Sequence, residues 1–162
     1  MYYDIFFDSV DIHERGKDVN KYGPVTFVYS IDLIDSLPEG IIKITKDNPI
    51  RWKKHTPENE RYFSNPLELR LDYVKGTFAQ HFTLVNQTEP LPFDYLEEVI
   101  LDDPGEDKQE YFDEAYAALS SAIEENGLDI ALTRRECSED CKCKIVYKTN
   151  KPGYTYYRFK TN

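Results

Sequence analysis

The chain has 162 residues, of which 40% are hydrophobic, and a formal net charge of −10 at pH 7. This length predicts one domain with a substantial core, and thirteen Tyr and nine Phe argue against a disordered chain. No apolar run reaches the roughly 20 residues that a membrane-spanning helix needs. Residues 1–11 lack the pattern of a signal peptide and the three cysteines are an odd number, so we expect a cytosolic protein.

The first half of the chain predicts strands joined by turns. Aromatic and β-branched residues predict strands at 2–12, 25–34 and 40–46, close enough in sequence to form an antiparallel meander. The segment 47–66 has three prolines and no sustained period, which predicts a long loop. Leucines that alternate with charged residues then predict a half-buried strand at 67–76.

The next stretch predicts the main helix. A strand at 77–87 would pair with the preceding strand as a hairpin, and 92–101 is predicted as a short helix. Asp103 as N-cap, followed by Pro104 and Glu106, predicts the start of a helix that runs from about 104 to 126. Its apolar residues recur at spacings of three and four and predict a stripe that docks on a sheet: Phe112, Ala115, Tyr116, Leu119, Ala122 and Ile123.

Three further strands are predicted after this helix, at 128–137, 142–150 and 153–162. Together the elements predict a single α+β domain over 1–162. Its expected architecture is a mainly antiparallel sheet of about six to eight strands, with one long amphipathic acidic helix packed on it.

The negative charge is concentrated in the segment 94–126. This segment carries twelve carboxylates and one base, Lys108, so its net charge is −11 and the other 129 residues sum to +1. The helix macrodipole favours carboxylates in the first turn, so those near the predicted start need no function. It does not explain Glu110 and Glu114, which repel each other at i, i+4, or Glu124 and Glu125 in the last turn.

A surface that binds a basic protein would explain carboxylates that act against helix stability, although a solvated face that aids solubility would carry the same charges. The expected partner is a nuclease or another nucleic-acid-binding protein. We do not expect a chain this acidic to bind nucleic acid or a membrane directly. The candidate partner-binding residues are Glu97, Glu98, Glu106, Glu110, Asp113, Glu114, Glu124 and Glu125.

Two other groups of residues are candidate sites. Cys137, Cys141 and Cys143 could hold Zn²⁺ if a histidine or another chain supplied a fourth ligand, but packing or free thiols would also explain them. The loop 40–55 carries five basic residues around Trp52, which we expect to pack on the protein body rather than stack on a base.

Catalytic residues are not predicted, because the sequence contains no Gly-rich phosphate loop, serine elbow or HExxH motif. The expected function is a non-enzymatic acidic inhibitor without a cofactor, with nucleic-acid mimicry as one mode of action. By analogy of class, such proteins include phage counter-defence proteins and immunity or antitoxin proteins. The alternatives are a small zinc module or enzyme that uses the cysteine turn, and an oligomeric structural protein such as a homodimer.

Overall fold

The computed structural model of the protein describes residues 5–11, 24–38, 40–77, 79–85, 89–103 and 109–136. The strands are β1 (Ile5–Phe7), β2 (Val25–Tyr29), β3 (Ile42–Ile44), β4 (Phe82–Leu84), β5 (Leu96–Asp103) and β6 (Ala131–Glu136). The helices are α1 (Asp32–Ser36), α2 (Glu58–Arg61), α3 (Pro66–Asp72) and α4 (Gln109–Glu125). Two short 3₁₀ turns occupy Pro49–Arg51 and Phe93–Tyr95.

These elements belong to two compact units that are interleaved along the chain. Unit 1 consists of Met1–Arg15 and Ile34–Leu91, and unit 2 consists of Gly16–Leu33 and Pro92–Asn162. Each unit is therefore built from two separate segments of the sequence. The expectation of a single domain over 1–162 stays a prediction.

Unit 1 contains a three-stranded antiparallel sheet with β4 in its centre. Thr83 of β4 is fully buried and lies opposite Phe6 of β1 on one side and Lys43 of β3 on the other. The predicted meander of the first three strands is wrong, because β1 and β3 both pair with β4 while β2 belongs to unit 2. The predicted strand at 25–34 ends early, since the chain forms α1 from Asp32.

Helix α3 replaces the strand predicted at 67–76, so the predicted hairpin with 77–87 is also wrong. Asn65 is the N-cap and accepts a hydrogen bond from the Glu68 backbone N–H at 2.9 Å, and Pro66 occupies the first turn. The Glu68 carboxylate accepts reciprocally from the Ser64 backbone N–H at 2.8 Å. This capping box outweighs the alternating leucines that favoured a strand. The predicted loop 47–66 likewise contains α2 and a 3₁₀ turn.

Unit 2 contains a three-stranded sheet in the order β2-β5-β6. The strand β5 pairs antiparallel with β2 and parallel with β6, and α4 forms the connection between β5 and β6. The short helix predicted at 92–101 is wrong, because β5 begins at Leu96 after the 3₁₀ turn. The run Val99-Ile100-Leu101 is typical of a central strand in which both faces are covered.

The core of unit 2 lies between α4 and its sheet. Leu101 of β5 packs with Phe112 and Ala115 of α4, and three partly buried residues surround them: Val25, Leu119 and Leu132. The protein is thus α+β, but with two three-stranded sheets in the described part instead of one sheet of six to eight strands. The strands predicted at 142–150 and 153–162, and the predicted helix start at 104–108, lie outside the described residues.

No helix in the portion of the chain that the structure describes combines the length and the apolar character needed to cross a membrane.

The α3 capping box should make stability depend on pH. Hydrogen bonds from Lys46 and then from Ser64 lower the pKa of Glu68 to about 2 from the ordinary value of 4.5. Because the folded-state pKa lies below the unfolded one, this contribution is present above pH 4.5 and is lost as pH falls toward 2. In urea unfolding, Glu68→Gln should therefore be less stable than wild type near pH 6, and the two should converge near pH 2. A difference that is constant with pH would contradict this assignment.

Candidate functional site: the outer face of helix α4

The rotation of α4 about its axis is fixed by the contacts of its apolar side. Phe112 and Ala115 are buried against Leu101, and the Arg134 guanidinium of β6 lies 4.9 Å from the centroid of the Phe112 ring. Tyr116, which was predicted on the docking stripe, is exposed and stacks on Phe112 with ring centroids 5.8 Å apart. Residues on the opposite side of the helix from Phe112 consequently point away from the sheet.

Carboxylates occupy this outward side in two groups. Small exposed residues separate the groups: Ala117, Ala118, Ser120 and Ser121. At 1.5 Å per residue, the centres of the two groups lie about 18 Å apart along the helix axis. We call the following exposed residues the acidic outer face: Glu110, Asp113 and Glu114 in the first group, and Glu124 and Glu125 in the second.

The charges of the acidic outer face are not neutralised within the described residues. Asp113 accepts a hydrogen bond from the Gln109 amide at 2.9 Å, and Glu125 accepts one from the Ser121 hydroxyl at 2.8 Å. The ion pairs formed between described residues do not involve any carboxylate of the face. The last turn of α4 contains no basic residue, so the negative end of the helix dipole adds to the charge there.

The two arginines of the neighbouring strand β6 pair with aspartates of β5 instead of with the acidic outer face. Arg135 donates from Nε to Asp102 Oδ1 at 2.6 Å, and Arg134 donates from Nε to Asp103 Oδ2 at 2.6 Å. The side chains of Asp102 and Asp103 are only 1% and 7% exposed. The hydrogen bond to Asp103 is the main cause of a raised pKa of Arg134, to which Asp113 contributes less. The acidic segment 94–126 thus contains structural carboxylates as well as surface ones.

The remaining predicted partner-binding residues are placed differently. Glu97 and Glu98 lie on β5 instead of on a helix. Glu97 is exposed, whereas Glu98 is half-buried and accepts a hydrogen bond from the Thr133 hydroxyl of β6. Glu106 lies outside the described residues. Within the described part, the structure therefore unites the five residues of the acidic outer face on one helix and sets Glu98 apart.

The proposed zinc ligands Cys137, Cys141 and Cys143 lie outside the described residues, so the zinc site stays a prediction. Within the ranges that are described, His, Cys, Asp and Glu nowhere form a group of three or more that could hold a metal ion. In the basic loop 40–55, Trp52 packs on other residues of unit 1. Its ring contacts those of Tyr62 and Phe6, at centroid distances of 5.3 and 5.9 Å.

Sequence reasoning missed the two ion pairs between β5 and β6, in each of which the aspartate is buried. The signal that could have found them is a pair of charge doublets, Asp102-Asp103 and Arg134-Arg135, each following an apolar or β-branched run. Parallel pairing in register places Asp102 directly opposite Arg135. The signal is readable only once the two runs are recognised as neighbouring parallel strands.

Comparisons with known proteins give no identification, because no protein-family model, curated protein or solved structure matches the chain. The chemistry of the surface is therefore the basis for a functional argument. Carboxylates that are exposed on a docked helix can pair with ammonium and guanidinium groups of another molecule.

The buried pair at the sheet gives a stability prediction. Arg135→Met should lower the free energy of unfolding by about 3–5 kcal/mol, because it removes the cation beside a buried carboxylate. The matched control is Arg51→Met, which breaks an exposed pair with Asp47 and should cost less than about 1 kcal/mol. Urea unfolding at pH 7 measures both, and equal small effects would contradict a buried role for the Arg135 pair.

The carboxylates of the acidic outer face should affect stability in opposite directions at the two ends of α4. Replacing the anion at the last turn of α4 by Glu124→Lys should stabilise the protein by about 0.3–1 kcal/mol, because a cation there complements the helix dipole. Glu110→Lys, in the first turn, should destabilise it by a similar amount. Thermal unfolding at low and high salt tests this, and the opposite order of the two variants would count against strain at the last turn.

Proposed function

We propose that the protein is a non-enzymatic inhibitor whose acidic outer face binds the basic surface of a nucleic-acid-handling protein, such as a nuclease. The observation that carries this proposal is the set of five exposed carboxylates on a docked helix, without an ion-pair partner among the described residues. Sequences that only need solubility usually place lysine four residues after glutamate on a helix. In α4 that arrangement is absent, at a cost in local stability.

The spacing of the carboxylates on the acidic outer face suits a partner surface that normally binds phosphates. Carboxylates at i and i+4, such as Glu110 and Glu114, are separated by about 6 Å along a helix axis, so they present a row of negative charges. Lysine and arginine side chains that line a nucleic-acid groove could pair with such a row. Arg134 and Arg135 do not weaken this field by direct pairing, because each is bound to a buried aspartate.

This mode of binding belongs to the class of acidic inhibitors that includes phage counter-defence proteins and immunity or antitoxin proteins. The partner would lose access to its nucleic acid because the acidic outer face occupies the same groove. Association would be fast and would weaken as salt rises, because charge attraction steers the encounter. A cytosolic location and the absence of direct nucleic-acid binding are part of the proposal.

The proposal is tested by capturing partners on the immobilised full-length chain and eluting them with increasing salt or with duplex DNA. The reversed variant carries Glu110→Lys, Asp113→Lys and Glu114→Lys. A control variant carries Asp35→Lys, Glu60→Lys and Asp72→Lys, three exposed carboxylates of unit 1, and has the same net charge. We expect to capture a basic nucleic-acid-binding protein that duplex DNA displaces from the wild-type chain. The control variant should still bind this protein, and the reversed variant should not.

Capture that does not weaken as salt rises would contradict the proposal. So would a loss of capture that is equal in the reversed variant and in its control. The first result would indicate a contact dominated by apolar groups. The second would indicate that only the total charge matters, as for a solvated face.

A further inference from the structure

Helix α3 of unit 1 carries an exposed apolar stripe that the acidic outer face does not explain. Leu67 and Leu71 are 67% and 75% exposed and lie one turn apart on the helix, and Val74, which is 62% exposed, follows the C-cap Tyr73. The two leucines share one side of the helix, and Val74 continues the stripe just beyond the helix end. Single exposed leucines are ordinary, but three exposed aliphatic side chains within eight residues are typical of a contact surface.

The position of α3 does not depend on this stripe. The helix has seven residues, which is too short to be stable in isolation. Its inner side is held by Leu69, which is half-buried, and by Tyr73, whose ring lies 6.2 Å from that of Phe82. Substitutions in the outer stripe should consequently leave the fold intact.

Polar contacts hold both ends of α3. The capping box at Asn65 and Glu68 holds its start. At its end, the buried side chain of Gln80 accepts from the Val74 backbone N–H at 2.6 Å and donates to the Asp72 carbonyl oxygen at 2.9 Å. The stripe is thus presented on a helix whose geometry is set in advance, which lowers the entropic cost of binding.

The charges beside the stripe are positive. Arg70 stands next to Leu67 and Leu71 on the helix surface, and Lys75 follows Val74; both are exposed. Neither takes part in an ion pair with a described residue. On the helix, Asp72 points about 160° away from Arg70 at 100° per residue. Glu68 is paired with Lys46.

We propose that the outer stripe of α3 is a second docking surface, which takes an amphipathic helix of a partner protein whose apolar stripe is flanked by carboxylates. Side chains this exposed project from the surface, so they fit between the side chains of another helix rather than around a small molecule. The carboxylates of the partner helix pair with Arg70 and Lys75. A second copy of this chain fits less well, because two molecules of net charge −10 repel each other.

The test uses two stapled helical peptides of equal length, with leucines at i, i+4 and i+7. One has glutamates beside the leucines and the other has lysines at the same positions. Each is titrated into the isotope-labelled full-length protein, and the amide chemical shifts of residues 67–75 are followed. We expect the glutamate peptide to shift these amides and the lysine peptide to leave them unchanged, whatever it does at α4.

Two variants locate the contact. Leu71→Ser should weaken the affinity for the glutamate peptide by about 10-fold or more, because it removes a leucine that is buried in the complex. Arg70→Glu with Lys75→Glu should reverse the preference toward the lysine peptide. The matched control is Ile31→Ser, an equally exposed aliphatic residue of unit 2, which should change nothing. Unfolding midpoints of all variants should match that of wild type.

Several results would overturn the proposal: no shift at 67–75 with either peptide, equal shifts with both, or binding that Leu71→Ser leaves unchanged. Sedimentation velocity tests whether a second copy of this chain binds the stripe instead. Self-association of the wild type that Leu71→Ser abolishes would show that a second copy of the chain covers the stripe, and the partner helix would then be wrong.

Discussion

The parallel pairing of β5 with β6 is the constraint on which the rest of unit 2 depends. Parallel neighbours cannot be joined by a tight turn, so the chain needs a crossover, and α4 provides it. The same register places Asp102 opposite Arg135 and Asp103 opposite Glu136. A slip of one residue would set Asp102 against another partner and turn each side chain of β6 to the other face. Register, ion pairs and the orientation of α4 are therefore consequences of one arrangement.

The two candidate surfaces differ in what holds them in place. The acidic outer face exists because an apolar stripe of α4 is buried, and its charges at the last turn act against the helix that carries them. The outer stripe of α3 exists because hydrogen bonds at both helix ends replace the burial that Leu67 and Leu71 would otherwise provide. One surface is negative and polar, the other apolar with a positive border, so the two call for partners of opposite charge.

Local signals in the sequence account for the parts of the structure that could be predicted. The 3.6-residue period placed Phe112, Ala115 and Leu119 on one side of a helix, where the structure has them, and so pointed the acidic residues outward. The alternating leucines at 67–71 favour a strand, but the capping signal Asn65-Pro66-Leu67-Glu68 starts a helix there instead. Strand partners could not be predicted, since the pairing of β1 with β4 joins segments far apart in sequence and leaves no local trace.

The interleaving of the two units sets an order of events on the ribosome. Strand β2 emerges before β3 and β4, but its partner β5 emerges only after unit 1 has been synthesised. At about 5–20 residues per second, β2 waits several seconds with its backbone edge unpaired. Unit 1 can close its sheet once Leu84 is available, whereas unit 2 needs residues up to Glu136. A nascent chain that stalls between these points holds one finished sheet and one strand open to mispairing.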